Sequence, residues 1–167
     1  MQKIAKFEKV SITEFLKCGS KETFDGVILP RRATAGSAGY DFFSPVTFTL
    51  DPGETAKIAT GVRVKIADGW VLMIYPRSSL GFKYRLTLNN TVGVIDSDYY
   101  NAENEGHIFI KLTNCGDQPL TVEKGKAFAQ GVFTPFGITE DDDCIAARTG
   151  GIGSTDKNRA KKSGNGR

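Results

Sequence analysis

The 167-residue sequence predicts an all-β fold, either a barrel or a sandwich. Three observations predict it. Short apolar runs with strand rhythm recur along most of the chain, turn residues break them about every ten positions, and only one stretch has a helix signature. A composition of 40% hydrophobic and 25% charged residues is that of a globular chain, large enough for one domain with a real core.

Taken in order, "MQKIAKFEKV" alternates charged with apolar residues and lacks the continuous apolar stretch of a signal peptide. Ser11 and Glu14 of "SITEFLK" form a capping box, which predicts one short helix over 12–17, ended by Gly19. The predicted strands then begin with "GVILP" (26–30), "VTFTL" (46–50), "TAKIATGVRVKI" (55–66) and "WVLMIYP" (70–76). They continue with "RLTL" (85–88), "TVGVI" (91–95), "HIFIKLT" (107–113), "PLTV" (119–122) and "KAFAQGVF" (126–133). "DPGE", "ADGW", "NCGDQP" and "EKGK" supply the Gly, Pro, Asn and Asp that turns require. Past Cys144 the rhythm fades into a Gly-rich, charged arm with no apolar face of its own. No run reaches the roughly eighteen apolar residues of a membrane span.

Cys18, Cys115 and Cys144 are odd in number and far apart, which predicts free thiols in a reducing cytoplasm. The net charge of +3 belongs to the tail: five of the 22 Lys and Arg, and no acid, lie in 157–167. The remaining 17 face 19 carboxylates, so the body carries about −2 and stable nucleic-acid binding is not expected. With one His and dispersed Cys, a zinc site is excluded, and His107 between Gly106 and Ile108 reads as a hairpin residue rather than a ligand or base.

Four polar clusters interrupt the strand rhythm: "AGSAGYDFFSP" (35–45), "YPRSSLGFK" (75–83), "NNTVGVIDSDYYNAENEGHI" (89–108) and "RTGGIGSTDK" (148–157). Together they have a chemical theme. Arg77, Ser78, Ser154 and Thr155 offer guanidinium, hydroxyl and backbone donors suited to polyphosphate oxygens. Asp41, Asp96 and Asp98 offer hard oxygens suited to Mg²⁺ carried in by phosphates. "GGIGST" lacks the Lys of a P-loop and does not complete G-x-G-x-x-G. Metal-assisted phosphate chemistry without a P-loop remains.

Five ordered segments, "AGYDF", "PRSSLG", "GVIDSDYY", "GKAFAQGVF" and "RTGGIGST", span about 35–155, and by them the chain resembles the homotrimeric dUTPases. The resemblance implies a β-barrel-like jelly roll over 1–147, a flexible arm at 148–156 that closes the active site, and a basic disordered tail at 157–167. It implies hydrolysis of dUTP to dUMP and pyrophosphate with Mg²⁺, limiting uracil in DNA and supplying dUMP. In the family the third motif is a hairpin forming the uracil pocket, here with Gly93 and Val94 in its main chain and Asn90 bonding the base. A hairpin's alternating N–H and C=O groups match uracil's acceptor–donor–acceptor edge, whereas cytosine would leave pocket groups unpaired.

By motif position, Tyr99 would lie under the deoxyribose and leave no room for a 2′-hydroxyl. Asp96 would be the general base, and Asp98 would support the hairpin and its charge balance. Arg77, Ser78, Ser79 and Gln130 would hold phosphates and water, and Asp41 would bind waters of the Mg²⁺. Arg148, Ile152, Gly153 and Ser154 would close over the nucleotide. Three departures stand out. Ile152 replaces the usual aromatic and Ala127 the usual Arg of the fourth motif, while Arg148 stands one residue closer to the lid than is common. "NAENEG" (101–106) lengthens the third-motif hairpin and leaves room for a regulatory protein partner. Two other readings share these residues: a zinc-free dCTP deaminase, which would need a Glu that activates water at C4, and a nucleotide-sensing regulatory protein.

Overall fold

The computed structural model describes residues 2–146, 148 and 150, so Ile152, Gly153, Ser154 and the basic tail lie outside the described residues. The first strand, β1 (Ala5–Lys9), had no counterpart among the predicted elements, because "AKFEK" shows only one large apolar side chain. Helix α1 (Ile12–Phe15) starts where the cap predicts, with Ser11 Oγ accepting from the Glu14 N–H at 3.1 Å. The reciprocal half of the box is absent: Glu105 takes the Ser11 N–H at 2.7 Å, and Glu14 pairs with Lys17. The helix stops at Phe15, two residues short of the prediction. The chain runs on in tighter turns, in which the Lys17 N–H donates to the Glu14 carbonyl and the Cys18 N–H to that of Phe15. A second helix, α2 (Lys21–Asp25), is capped by Ser20.

"GVILP" is not a strand; its Val27 is buried, yet it joins no ladder. After β2 (Arg31–Arg32), β3 (Tyr40–Phe43) and β4 (Phe48–Leu50), the run predicted over 55–66 divides into β5 (Thr55–Ala59) and β6 (Val62–Ile66). The break is Gly61, at φ +71°, where a Cβ would sit 2.6 Å from Val27 Cγ2. Only Gly meets both demands. Then follow β7 (Trp70–Pro76), α3 (Ser78–Tyr84), β8 (Leu86–Leu88), β9 (Gly93–Ile95) and a 3₁₀ turn (Ser97–Asn101). The described part ends with β10 (Phe109–Asn114), β11 (Leu120–Val122) and β12 (Ala127–Pro135).

All ladders are antiparallel. The strands form an all-β jelly roll whose largest sheet has the order β2-β3-β12-β7-β9, facing a smaller sheet β5-β10-β8, with β1–β6 and β4–β11 as pairs. Phe42, Leu72, Ile74, Phe128, Ile110 and Leu112 from these strands are almost wholly buried in one core. Each such side chain contributes about 1.5–3 kcal/mol, far more than an exposed ion pair. No helix among the described residues is long and apolar enough to cross a membrane.

Two features of this topology position the functional residues. The register of β12 slips at Phe128, so Ala127 faces Phe43 while Ala129 faces Phe42. Beyond this bulge Gln130 stands directly opposite both Asp41 on β3 and Tyr75 on β7. Second, β8 and β9 do not pair with each other: β8 pairs with β10 and β9 with β7. Both are outermost strands of their sheets. Their free edges carry main-chain donors and acceptors with no ladder partner.

Candidate active site

Where β7 runs into α3, Arg77 sits in extended conformation as the residue before the helix, and its Nε lies 3.2 Å from Asp41 Oδ1. The Gln130 amide donates to the Pro76 carbonyl at 3.3 Å. Asp41, Arg77, Ser78 and Gln130 are thereby gathered on one face of the largest sheet. Arg77, Ser78 and Gln130 line a cleft of ≈ 450 Å³, with the exposed Phe82 at its rim. Ser79 is exposed in the same helical turn. The cleft offers a guanidinium, a hydroxyl and an amide, a donor set for phosphate oxygens. Across Phe43 from Ala127, the Arg31 guanidinium lies 5.2 Å from the Phe43 ring centre, and Arg31 is itself in register with Asp41. Sequence reading missed this cation, because a two-residue strand leaves no periodicity.

A second cavity, ≈ 520 Å³, opens between β9 and the β5-β10-β8 sheet, with Lys57, Phe109 and Lys111 in its wall beside Leu88. Ile74, Leu88, Ile108 and Ile110 give it an apolar lining, and Asn90, Gly93 and Val94 stand at its strand-edge side. Gly93 permits this closeness, since a Cβ there would be 3.1 Å from Ile74 Cβ and 3.8 Å from Asn90 Nδ2. The connection 89–92 is tight: the Val92 N–H donates to the Asn90 carbonyl at 2.6 Å, and Thr91 adopts φ 65°.

Asp96 follows β9 directly and begins the 3₁₀ turn, with no side-chain capping bond, so its carboxylate points outward at 51% exposure. Three residues on, Tyr99 returns into the cavity wall and is only 5% exposed. The 3₁₀ turn keeps Asp96, Asp98 and Tyr99 around one guanidinium, that of Arg148. Arg148 Nη1 lies 3.0 Å from Asp96 Oδ2 and 3.1 Å from Asp98 Oδ1, and its guanidinium carbon is 5.1 Å from the Tyr99 ring centre. In this structure, then, Arg148 is paired with two carboxylates beside the cavity. Tyr100 turns away and donates to Glu8 Oε2 at 2.7 Å.

Burial raises the Tyr99 phenol above its ordinary pKa, against a bond from Asn104 and the charge of Arg148. The phenol donates to the His107 carbonyl at 2.8 Å. His107 is no hairpin residue. It is fully buried, accepts the Gly61 N–H at Nε2 (2.9 Å), and is pushed down to about 4 by burial. "NAENEG" does not extend a hairpin either: Glu105 Oε1 accepts from Ser11 Oγ at 2.6 Å, docking the segment on α1. The sequence signal for this was Gly106 between a charge and the lone His.

The cleft and the cavity share no lining residue. One chain therefore carries the phosphate-type donors and the Asp96–Tyr99 pair at two separate places. Among the described residues no group of three or more His, Cys, Asp or Glu is placed to hold a metal ion. Asp41 has one oxygen paired with Arg77, so the donor set fits an ion that arrives on a triphosphate and meets Asp41 through water.

A family model described as dUTPase matches residues 25–156. A deoxyuridine 5'-triphosphate nucleotidohydrolase of Lactococcus lactis is 45% identical over 133 residues, covering 78% of this chain and 89% of that protein. One from Chromobacterium violaceum is 42% identical over 135 residues, 76% of this chain and 87% of that protein. Among solved structures, the dUTPase from Streptococcus mutans matches with TM-score 0.65 and 38% identity, covering 80% of this chain and 98% of that one. A dUTPase from the S. aureus phage phi11, solved with a structural Mg(II) ion, shares the fold at TM-score 0.64 and 23% identity, covering 86% and 98%.

Proposed function

This chain belongs to the dUTPase family, and we infer from that membership and from its two half-sites how it works. The chain is a dUTP diphosphatase: it hydrolyses dUTP to dUMP and pyrophosphate. One observation carries the mechanistic reading. Asp96 stands half-exposed just past the end of β9, beside a cavity lined by Gly93, Val94 and Tyr99.

Uracil enters between β9 and the β5-β10-β8 sheet, where unpaired N–H and C=O groups and Asn90 meet its acceptor–donor–acceptor edge. Unpaired pocket groups penalise cytosine heavily. The deoxyribose rests on the Tyr99 ring, so Arg148 leaves that ring and the two aspartates as the nucleotide binds. Freed of its cation, Asp96 accepts a proton from the water that attacks the α-phosphorus in line, and pyrophosphate departs. Asp98 shares the same cation and keeps the local charge balanced. Arg77, Ser78, Ser79 and Gln130 hold the phosphates, with Arg148, Ile152, Gly153 and Ser154 closing over them. Asp41 would hold the waters of a Mg²⁺ ion, which would supply neutralisation of the phosphate charge.

The separation of the two half-sites supports a homotrimer in which Asp96 and Tyr99 of one copy meet Arg77, Ser78 and Gln130 of another. We place the β domain at 1–147, the closing arm at 148–156 and the basic tail at 157–167, in a reducing cytoplasm that suits three exposed free thiols. Neither nucleic acid nor membrane is a partner in this reading; a regulatory protein partner is left to the surface of 101–106. Pyrophosphate release measured with dUTP, dCTP, dTTP and UTP tests the function. Turnover of dUTP at least ~100-fold faster than the others is expected. Ammonia release from dCTP would overturn it in favour of the deaminase.

A further inference from the structure

Tyr99 is held by atoms whose protons can be assigned without seeing them. The Gly106 N–H can only donate, and it donates to Asn104 Oδ1 at 3.2 Å. The other end of that amide is therefore the NH₂ group, and Asn104 Nδ2 donates to Tyr99 Oη at 2.8 Å. The His107 carbonyl can only accept, so the phenol proton points to it at 2.8 Å. The Tyr99 hydroxyl thus gives its only proton and receives one at the edge of the cavity wall, away from the ring face that Arg148 covers.

The segment that supplies these groups is shaped to reach back to Tyr99. Glu105 and Gly106 both adopt positive φ, 56° and 71°, folding 104–106 against the 3₁₀ turn. A Cβ on Gly106 would lie 2.7 Å from the Tyr99 carbonyl oxygen and 2.8 Å from Tyr100 Cα. Glu105 ties the segment down, accepting from the Ser11 N–H and Oγ at 2.7 and 2.6 Å.

We propose that Asn104 is a positioning residue for sugar selection, locking the Tyr99 ring so that a 2′-hydroxyl meets a rigid face with no free hydrogen-bond partner. The inference rests on the reading of Tyr99 as the deoxyribose floor. A fixed ring rejects ribose twice over, by contact and by leaving the 2′-hydroxyl desolvated and unpaired. A ring free to tilt yields to it.

The test is the ratio of kcat/KM for UTP to that for dUTP in the full chain. Asn104→Asp keeps the acceptor for Gly106 but loses the amide that donates to Tyr99 Oη and, at 3.4 Å, to the His107 carbonyl, and Asn104→Ala loses all three contacts. Each should raise the ratio about tenfold, the order of one hydrogen bond. Tyr99→Phe should raise it similarly, and adding Asn104→Ala to Tyr99→Phe should add nothing further, because the hydroxyl through which Asn104 acts is already gone. Global destabilisation lowers both rates and leaves the ratio alone. A wild-type ratio in both Asn104 variants, while Tyr99→Ala shifts it, overturns this inference only. An unchanged ratio in Tyr99→Ala overturns the floor itself, and this inference with it.

Discussion

Lowering the pH from about 7 to about 4.5 is expected to cost the fold about 2.5 kcal/mol through one side chain, His107. Its ring is fully buried, 4.3 Å from the Phe109 ring centre and 5.8 Å from that of Phe15, and its Nε2 accepts the Gly61 N–H. A protonated imidazole has no lone pair for that bond. Burial dominates and drives the pKa from 6.5 to about 4; Glu14 opposes it, Lys57 adds to it, and Glu105 opposes it weakly. The unfolded chain therefore takes up the proton first. Stability from this group is complete above the unfolded value, is lost as the pH falls from 6.5 towards about 4, and levels off below that. Glu8 works in a lower window, since bonds from Lys6 and Tyr100 hold it at about 2 rather than 4.5, so a pH near 4.5 leaves most of its contribution in place. The assay is urea unfolding at fixed protein concentration for wild type and His107→Gln, whose amide still accepts from Gly61 but does not titrate. Replacing the ring carries its own pH-independent cost, which cancels in the comparison. Wild type should lose about 2.5 kcal/mol more than the variant over this window. Parallel losses in the two proteins would refute a neutral buried His107.

Mixing Asp96→Asn with Ser78→Ala, each inactive alone, should restore about a quarter of wild-type activity after random subunit exchange, because the half-sites come from different copies; no recovery would place the whole site in one chain. Ending the chain after Asp156 removes the five basic tail residues and should leave kcat near wild type. Ending it after Ala147 should lower kcat at least ~100-fold while the melting temperature moves only a few degrees. Activity in the shorter chain, or its unfolding, would each refute a separate closing arm. Gly106→Ala should destabilise by at least about 1 kcal/mol in urea unfolding, since it forces a side chain into positive φ against the Tyr99 carbonyl.

Strand rhythm made most of the fold legible, and its failures have local causes. In "GVILP" Val27 is buried against Gly61 while Ile28 and Leu29 are exposed, and the run joins no ladder. A row of apolar residues does not by itself specify a ladder. β8 and β9 are adjacent in sequence, yet they join different sheets, a choice made by distant partners. The same limit applies to the site. Asp41, Arg77, Ser78 and Asp96 stood out in the sequence because their types suit phosphate and Mg²⁺ chemistry, whereas Tyr99 was singled out only by its motif position in the family resemblance. Arg31 and Asn104 were not, because a cross-strand register and a positive-φ turn bring them to the site. Arg148 was found, but the two carboxylates it meets are some fifty residues away.

The most direct test of the account is single-turnover hydrolysis of dUTP by Asp96→Asn. The amide keeps the shape of the carboxylate and cannot take the proton, so kcat should fall at least ~100-fold while dUTP affinity stays within about tenfold. A variant that keeps more than about a tenth of wild-type kcat would contradict the assignment of Asp96 as the base.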